Sequence, residues 1–152
     1  MNSDFLENIK KELSLGEQDI NTYSPLVLAY IGDAVYEVVI RTMLVCKQNE
    51  QVQKLHGKAT RYVKAEAQKN MIEVLMDELS EDELLVYKRA RNSKQHTTPK
   101  NAKLSDYHKA TGFEAVIGYL FLKGEEGRML ELCSMGIQRI ETDVPGKSNI
   151  ID

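Results

Sequence analysis

Apolar residues along this chain recur mostly at three- and four-residue intervals, the spacing that lines one face of an α-helix. Phe5, Ile9 and Leu13 share such a face and predict a short amphipathic helix near the start. Ser24-Pro25 then marks a strong helix start, because a serine oxygen accepts a first-turn N–H and proline tolerates the first helical position. That helix is predicted from Pro25 to about Cys46. Beyond Asn49 a long helical pattern runs through Val52, Leu55, Ala59, Val63, Met71, Leu75 and Leu79, with Gly57 as a bend or a close helix contact. Ser80 and Glu83 are spaced as a capping box, which opens a helix through Leu84, Leu85 and Tyr87. Asn92 to Leu104, with Pro99 inside, reads as a loop. Ser105 starts another helix carrying Phe113, Val116, Ile117, Leu120 and Phe121, stopped by Gly124. A last helix uses Met129, Leu130, Leu132, Met135 and Ile137. No segment alternates with the two-residue period of a strand, so the fold class is all-α. The chain divides into one compact helical domain over residues 1–142 and a flexible C-terminal tail over 143–152, which holds Pro145 and Gly146.

Composition narrows the class without naming an activity. At 152 residues, 42% hydrophobic and 28% charged, the chain suits one soluble globular domain. Its longest apolar run, Leu26 to Ile31, is followed by Asp33, Glu37 and Arg41, far short of a membrane span. The first residues lack the basic start and apolar stretch of a signal peptide, which points to the cytoplasm. Cys46 and Cys133 have neither CxxC spacing nor histidines beside them, and reduced, buried thiols are expected.

Net charge is −3, which by itself argues against a nucleic-acid partner. Its distribution changes that picture. Between Tyr87 and Ser105 lie Lys88, Arg89, Arg91, Lys94, Lys100 and Lys103, with His96 and no acid. Such a strip on an otherwise acidic body can hold phosphate in one place and repel it elsewhere. A solvated loop is the bland alternative.

Two acids stand out. Asp33 follows the apolar run and precedes Ala34-Val35, inside a helix expected to be largely buried, where an ionised carboxylate needs a cation or several donors. Gly32 beside it costs about 1 kcal/mol of helix propensity relative to alanine, so a packing or access reason is expected. A helix face turned to solvent, with Glu37 one turn later, remains the plainer reading of this segment. Glu114 repeats the situation between Gly112 and Gly118, small residues that let another helix approach closely. Two part-buried carboxylates make a bridging cation plausible, and Mg²⁺ takes one or two carboxylates while keeping several waters. Glu37 could orient a water but suits a surface or interface better. His56, His96 and His108 lack the companions of a general base.

These segments resemble a known family. Tyr30-Ile31-Gly32-Asp33-Ala34-Val35 is similar to the signature helix of the ribonuclease III domain, and Phe113-Glu114-Ala115-Val116-Ile117-Gly118 to its second catalytic helix. Leu28 to Glu37, Ala59-Thr60-Arg61-Tyr62-Val63, Arg89-Ala90-Arg91-Asn92, Pro99-Lys100-Asn101 and Thr111 to Ala115 resemble successive blocks of the Mini-ribonuclease III branch, which lacks a double-stranded-RNA-binding domain. The likeness covers about Tyr23 to Leu122. It implies the ribonuclease III endonuclease fold and a Mg²⁺-dependent endoribonuclease acting on double-stranded RNA, with the ribosomal RNA precursor (its 23S ends) as substrate. It further implies Asp33 and Glu114 as catalytic metal ligands, a homodimer paired through the signature helices, and RNA contacts from Arg89, Arg91, Asn92, Lys94, Lys100 and Lys103. Where the larger enzymes carry further acids, this chain has Leu26, Ala29 and Thr111, so its metal shell is simpler or more hydrated. Arg89-Ala90-Arg91-Asn92 also departs from the branch's usual Arg-Gly-Arg-Asn. The alternative from another class is a catalytically inactive ribonuclease III-like module that binds RNA or associates with the ribosome.

Overall fold

The helix with the most buried residues lies at the centre. α6 (Leu104–Leu122) buries every residue from Ala110 to Phe121 except Glu114, which is half-buried. A helix apolar on all sides must be surrounded, and α2 (Pro25–Lys47), α4 (Ala65–Leu75), α5 (Glu81–Arg91) and α7 (Glu126–Thr142) pack around it. α1 (Phe5–Glu12) and α3 (Val52–Val63) complete the α-helices among the described residues. This computed structural model describes residues 4–93 and 103–142, and no strand occurs among them. The all-α expectation holds.

Local sequence sets most helix ends. The Ser24 hydroxyl oxygen accepts the Val27 N–H at 3.3 Å, with Pro25 as the first helical residue of α2. The Ser80–Glu83 box is closed in both directions, at 2.8 and 3.1 Å. Gly124, at φ 82°, turns the chain out of α6 while the Glu125 N–H reaches the Leu120 carbonyl and the Gly124 N–H that of Phe121. That is the paired bonding of a Schellman stop, and it needs a residue comfortable in the left-handed region. α6 itself begins one residue before Ser105, with no side-chain cap.

Several expectations are corrected. The pattern after Asn49 is two helices, broken at Lys64, whose backbone is extended (φ −67°, ψ 157°). Gly57 is neither bend nor contact, since a Cβ there would meet nothing within 4 Å. The break escaped the pattern because Val63, Ala67 and Met71 keep four-residue spacing straight through it. α1 forms, but it buries Leu6, while Phe5 and Leu13 are exposed. The Phe5–Ile9–Leu13 stripe drifts around the helix, and Leu13 already lies past its end. Cys133 is buried as expected, but Cys46 is exposed, on the outer side of the last turn of α2. His96 and Pro99, and the tail over 143–152, lie outside the described residues.

α2 has two unlike faces. Leu28, Ala29, Gly32, Tyr36, Ile40 and Leu44 are buried at helical spacing. Val27, Tyr30, Val38 and Val45 lie exposed on the other side, Tyr30 at 81%. The inner face carries a helix contact close enough to exclude side chains. A Cβ on Gly32 would fall 1.7 Å from the Glu114 carbonyl oxygen, and one on Gly118 1.9 Å from that of Leu28. Two glycines facing each other's helices let the α2 and α6 backbones touch. This is the packing reason that both glycines implied. Gly112 serves a different neighbour, because a Cβ there would strike the Tyr87 ring at 2.5 Å.

Candidate active site

The glycine crossing brings the two acids together. Because Gly32 lies against the Glu114 backbone, the residue after Gly32 and the side chain of Glu114 share one spot beside the crossing. Asp33 is exposed there, as the plainer of its two sequence readings had it: α2 is only half covered, and Asp33 stands on the boundary. Glu114 projects from the buried stretch of α6 and lies close enough to Asp33 for the two carboxyls to interact. Burial, and then the Asp33 carboxylate, push the Glu114 carboxyl up to about 9. Gln68, from the first turns of α4, acts on Glu114 in the opposite sense, favouring the carboxylate.

Two neighbouring carboxylates with no lysine or arginine between them form an electrostatic deficit that a dication relieves. The donor chemistry fits Mg²⁺: oxygen ligands, one of them open to water, and few enough to leave several positions for solvent. Among the described residues no group of three or more His, Cys, Asp or Glu side chains converges as a metal cluster, so a cation here would have only the pair as protein ligands. Leu26 is exposed and Ala29 buried, and the Thr111 hydroxyl donates to the Tyr107 carbonyl at 3.0 Å. None of those three positions adds a carboxylate. Glu37 pairs with Arg41 at 3.0 Å on the surface of α2, as its bland reading had it. His56 is exposed, and His108 is half-buried beside Tyr107. Neither stands with the acid pair.

The basic strip is seen at its two ends. Arg89, Arg91 and Asn92 occupy the last turn and cap of α5, and Lys103 immediately precedes α6. Lys94 and Lys100 lie outside the described residues. Arg91 lies over the Tyr87 ring, 5.4 Å from its centroid, and its Nε donates to the Asn92 side chain at 3.1 Å. Arg89 and Lys103 are exposed. The α5 end of the strip is joined to the same helix as Glu114, through Tyr87 in the Gly112 notch.

Two features escaped the sequence reading. Gln68 is a fully buried polar residue beside Glu114, and its signal was a glutamine between Ala67 and Met71 on a core face. A second acid-free stretch runs from Gln51 to Ala65, with Lys54, Arg61 and Lys64 exposed on or just beyond α3.

Residues 26–125 match the family model of the ribonuclease III domain. The chain is 48% identical over 126 residues to a protein of Clostridium tetani named Mini-ribonuclease 3, covering 82% of this chain and 83% of that one. It is 44% identical over 137 residues to a Mini-ribonuclease 3 of a Thermoanaerobacter species, covering 90% and 94%. A crystal structure of a Fusobacterium nucleatum protein superposes with a TM-score of 0.73 at 29% identity, over 82% of this chain and 99% of that one.

Proposed function

From the premise that this chain belongs to the ribonuclease III family, in its Mini-ribonuclease 3 branch, and is an endoribonuclease, we propose that it cuts double-stranded RNA with Mg²⁺ held by Asp33 and Glu114. The observation that carries this reading is the meeting of those two carboxylates at the Gly32–Gly118 crossing, where Glu114 has Asp33 rather than a cation as its neighbour. Such an ion, when bound, offsets charge on the phosphodiester and acidifies the attacking water. The chain's own part is positional. Asp33, open to solvent on α2, meets the substrate side, while Glu114 is anchored in the central helix.

Duplex RNA is recognised largely by shape, phosphates and 2′-hydroxyls. Arg89, Arg91, Asn92 and Lys103 flank one phosphate-binding region, to which Lys94 and Lys100 belong by sequence. Among the described residues none of these cations is paired with an acid, which leaves them for phosphate. Two active sites are needed to cut both strands of one duplex, and the outer face of α2 offers the contact. Val27, Tyr30, Val38 and Val45 form an apolar stripe that a second copy would cover, giving a homodimer. The ribosomal RNA precursor is the proposed substrate, in the cytoplasm. No described helix is long and apolar enough to cross a membrane.

The test is incubation of the purified protein with a long RNA duplex, a single strand of the same sequence, and Mg²⁺ or a chelator. Cleavage of the duplex alone, only with Mg²⁺, is the expected result. Binding without cleavage under all conditions would instead leave an inactive RNA-binding module. Sedimentation at micromolar concentration should give a dimer, and a lone monomeric species would remove the assembly from this reading.

A further inference from the structure

The described cations of the basic strip are held unequally. Arg89 and Lys103 are exposed, and among the described residues no hydrogen bond, ion pair or ring contact fixes either side chain. Arg91 is half-buried, and two contacts fix its guanidinium. It lies over the Tyr87 ring one helical turn earlier, 5.4 Å from the centroid, and its Nε donates to the Asn92 side-chain oxygen at 3.1 Å. The turn that carries it is closed. The Asn92 N–H reaches the Lys88 carbonyl at 3.0 Å and the Ser93 N–H that of Ala90 at 3.1 Å, while Ala90 itself is fully buried.

The ring beneath Arg91 is wedged in turn. Tyr87 is 2% exposed, and the missing side chain of Gly112 makes its space. A Cβ on Gly112 would lie 2.5 Å from Tyr87 Cδ1, 2.6 Å from Cε1 and 3.0 Å from the Tyr87 carbonyl oxygen. Ring and α5 backbone both rest on α6 there, two residues before Glu114, which is about 3 Å along a helix axis. Cation, ring, notch and acid are therefore linked through two helices, with no loop residue between them.

With Nε committed to Asn92 and one face on the ring, the two Nη groups of Arg91 remain, and neither has a partner among the described residues. Parallel guanidinium N–H donors match two oxygens of one phosphate. We propose that Tyr87 is a positioning residue for RNA: seated in the Gly112 notch, it holds Arg91 as a pre-formed fork that takes one duplex phosphate. Arg89 and Lys103 attract the duplex without placing it. This rests on the duplex-RNA reading above and adds the residue that prepares one of its cations. Ordering a long side chain only on binding weakens association about two- to tenfold, and the stack removes that loss in advance.

The experiment measures binding of one RNA duplex to the full chain over a range of salt, for Tyr87→Leu, Tyr87→Phe, Arg91→Ala and the Tyr87→Leu, Arg91→Ala double variant. Tyr87→Leu keeps every cation, so its log–log salt slope should equal that of the wild type. Its affinity should nevertheless fall about two- to tenfold. Tyr87→Phe keeps an aromatic face and should bind as the wild type does. In the Arg91→Ala background, Tyr87→Leu should cost nothing further, because the tyrosine acts through the arginine. A tyrosine that is only core would lower the melting temperature and leave affinity unchanged, or weaken binding equally in both backgrounds. Either result, in folded protein, overturns the proposal. Should Tyr87→Leu fail to fold, the wild type decides by NMR: the Arg91 Nε–H signal should be shifted by the ring in the RNA-free protein and move when duplex is added. An unshifted signal, or one indifferent to duplex, overturns the proposal equally. The two readings fail separately. Wild-type affinity and slope in Arg91→Ala remove Arg91 from the RNA and this inference with it, whereas a loss there but not in Tyr87→Leu removes the inference alone.

Discussion

Glu83 and Glu114 are both glutamates drawn into the helical body, and their surroundings have opposite characters. Glu83 is 3% exposed, yet it accepts from Arg128 Nε at 2.9 Å, from Arg128 Nη2 at 2.8 Å and from the Ser80 N–H at 2.8 Å. The guanidinium, against the opposing effect of burial, holds its carboxyl below the ordinary 4.5. Glu114 is less buried, faces a second carboxylate, and is pushed up to about 9. A buried charge with its counter-ion supplied by the chain is architecture: it ties α5 to the start of α7. One whose counter-ion the chain withholds can recruit a cation from solution. The difference separates a structural acid from a ligand without any appeal to motif.

The largest expected effects break the ligand side. Asp33→Asn and Glu114→Gln should each reduce duplex cleavage to background while the helical spectrum and duplex binding survive. Near-normal cutting by either variant would make that carboxylate structural after all. Next in size is the architectural side. Arg128→Met leaves Glu83 buried without its cation, and breaking such a pair costs about 3 kcal/mol. Chemical denaturation should show that loss, while cleavage per folded molecule stays close to wild type. A collapse of cleavage in folded Arg128→Met would mean that the two acids are not separable.

The two glutamates should also give opposite dependence on pH. The Glu83 carboxyl is lowered in the fold, so its stabilisation is present above the unfolded value and fades as pH falls through the folded one. The Glu114 carboxyl is raised, so the fold binds a proton that the unfolded chain has lost. Stability of the metal-free protein should therefore decline as pH rises from about 4.5 toward about 9. Mg²⁺ should remove much of that decline, and Glu114→Gln should remove it without metal. Melting curves across this range check the sign, and a Glu114→Gln protein with the wild-type slope would refute it.

Much of this contrast was legible in the sequence, but only where local chemistry decides structure. Ser24-Pro25, the Ser80–Glu83 box and Gly124 act within a few residues, and each helix end lies where they put it or one residue away. Gly32 and Gly118 announced a close approach because glycine inside a helix costs stability and needs a reason. Which helix each glycine met was not readable, since that depends on topology. The break at Lys64 was invisible for a related reason: no glycine, proline or capping side chain marks it, and its exposed Val63 carbonyl is served from Gln68, which stands beyond the break. Whether Asp33 was covered or turned to solvent stayed open in the sequence, because an apolar run looks the same whether the fold or a partner covers it. Tyr30, Val38 and Val45 are apolar yet exposed, and only a folded chain tells the two cases apart.

The smallest expected effect tests whether the basic strip belongs to the ligand side or is merely solvated surface. Arg89 is exposed at the end of α5, and Arg91 is half-buried against Tyr87. If both contact phosphates, each replacement should lower the magnitude of the log–log salt slope of duplex binding by up to about one unit. The weakening should be similar for duplexes of different sequence, because phosphate contacts position a duplex without reading it. The two positions should still differ in stability. Arg89→Ala removes an exposed side chain, whereas Arg91→Ala also strips a cation from the Tyr87 ring, worth about 0.5–1 kcal/mol. Saturating RNA should restore cleavage by the Arg89→Ala, Arg91→Ala double variant, which is the reverse of the Asp33 and Glu114 variants. An unchanged salt slope in that double variant would place the duplex elsewhere, and the cationic face of Lys54, Arg61 and Lys64 would be the next surface to probe.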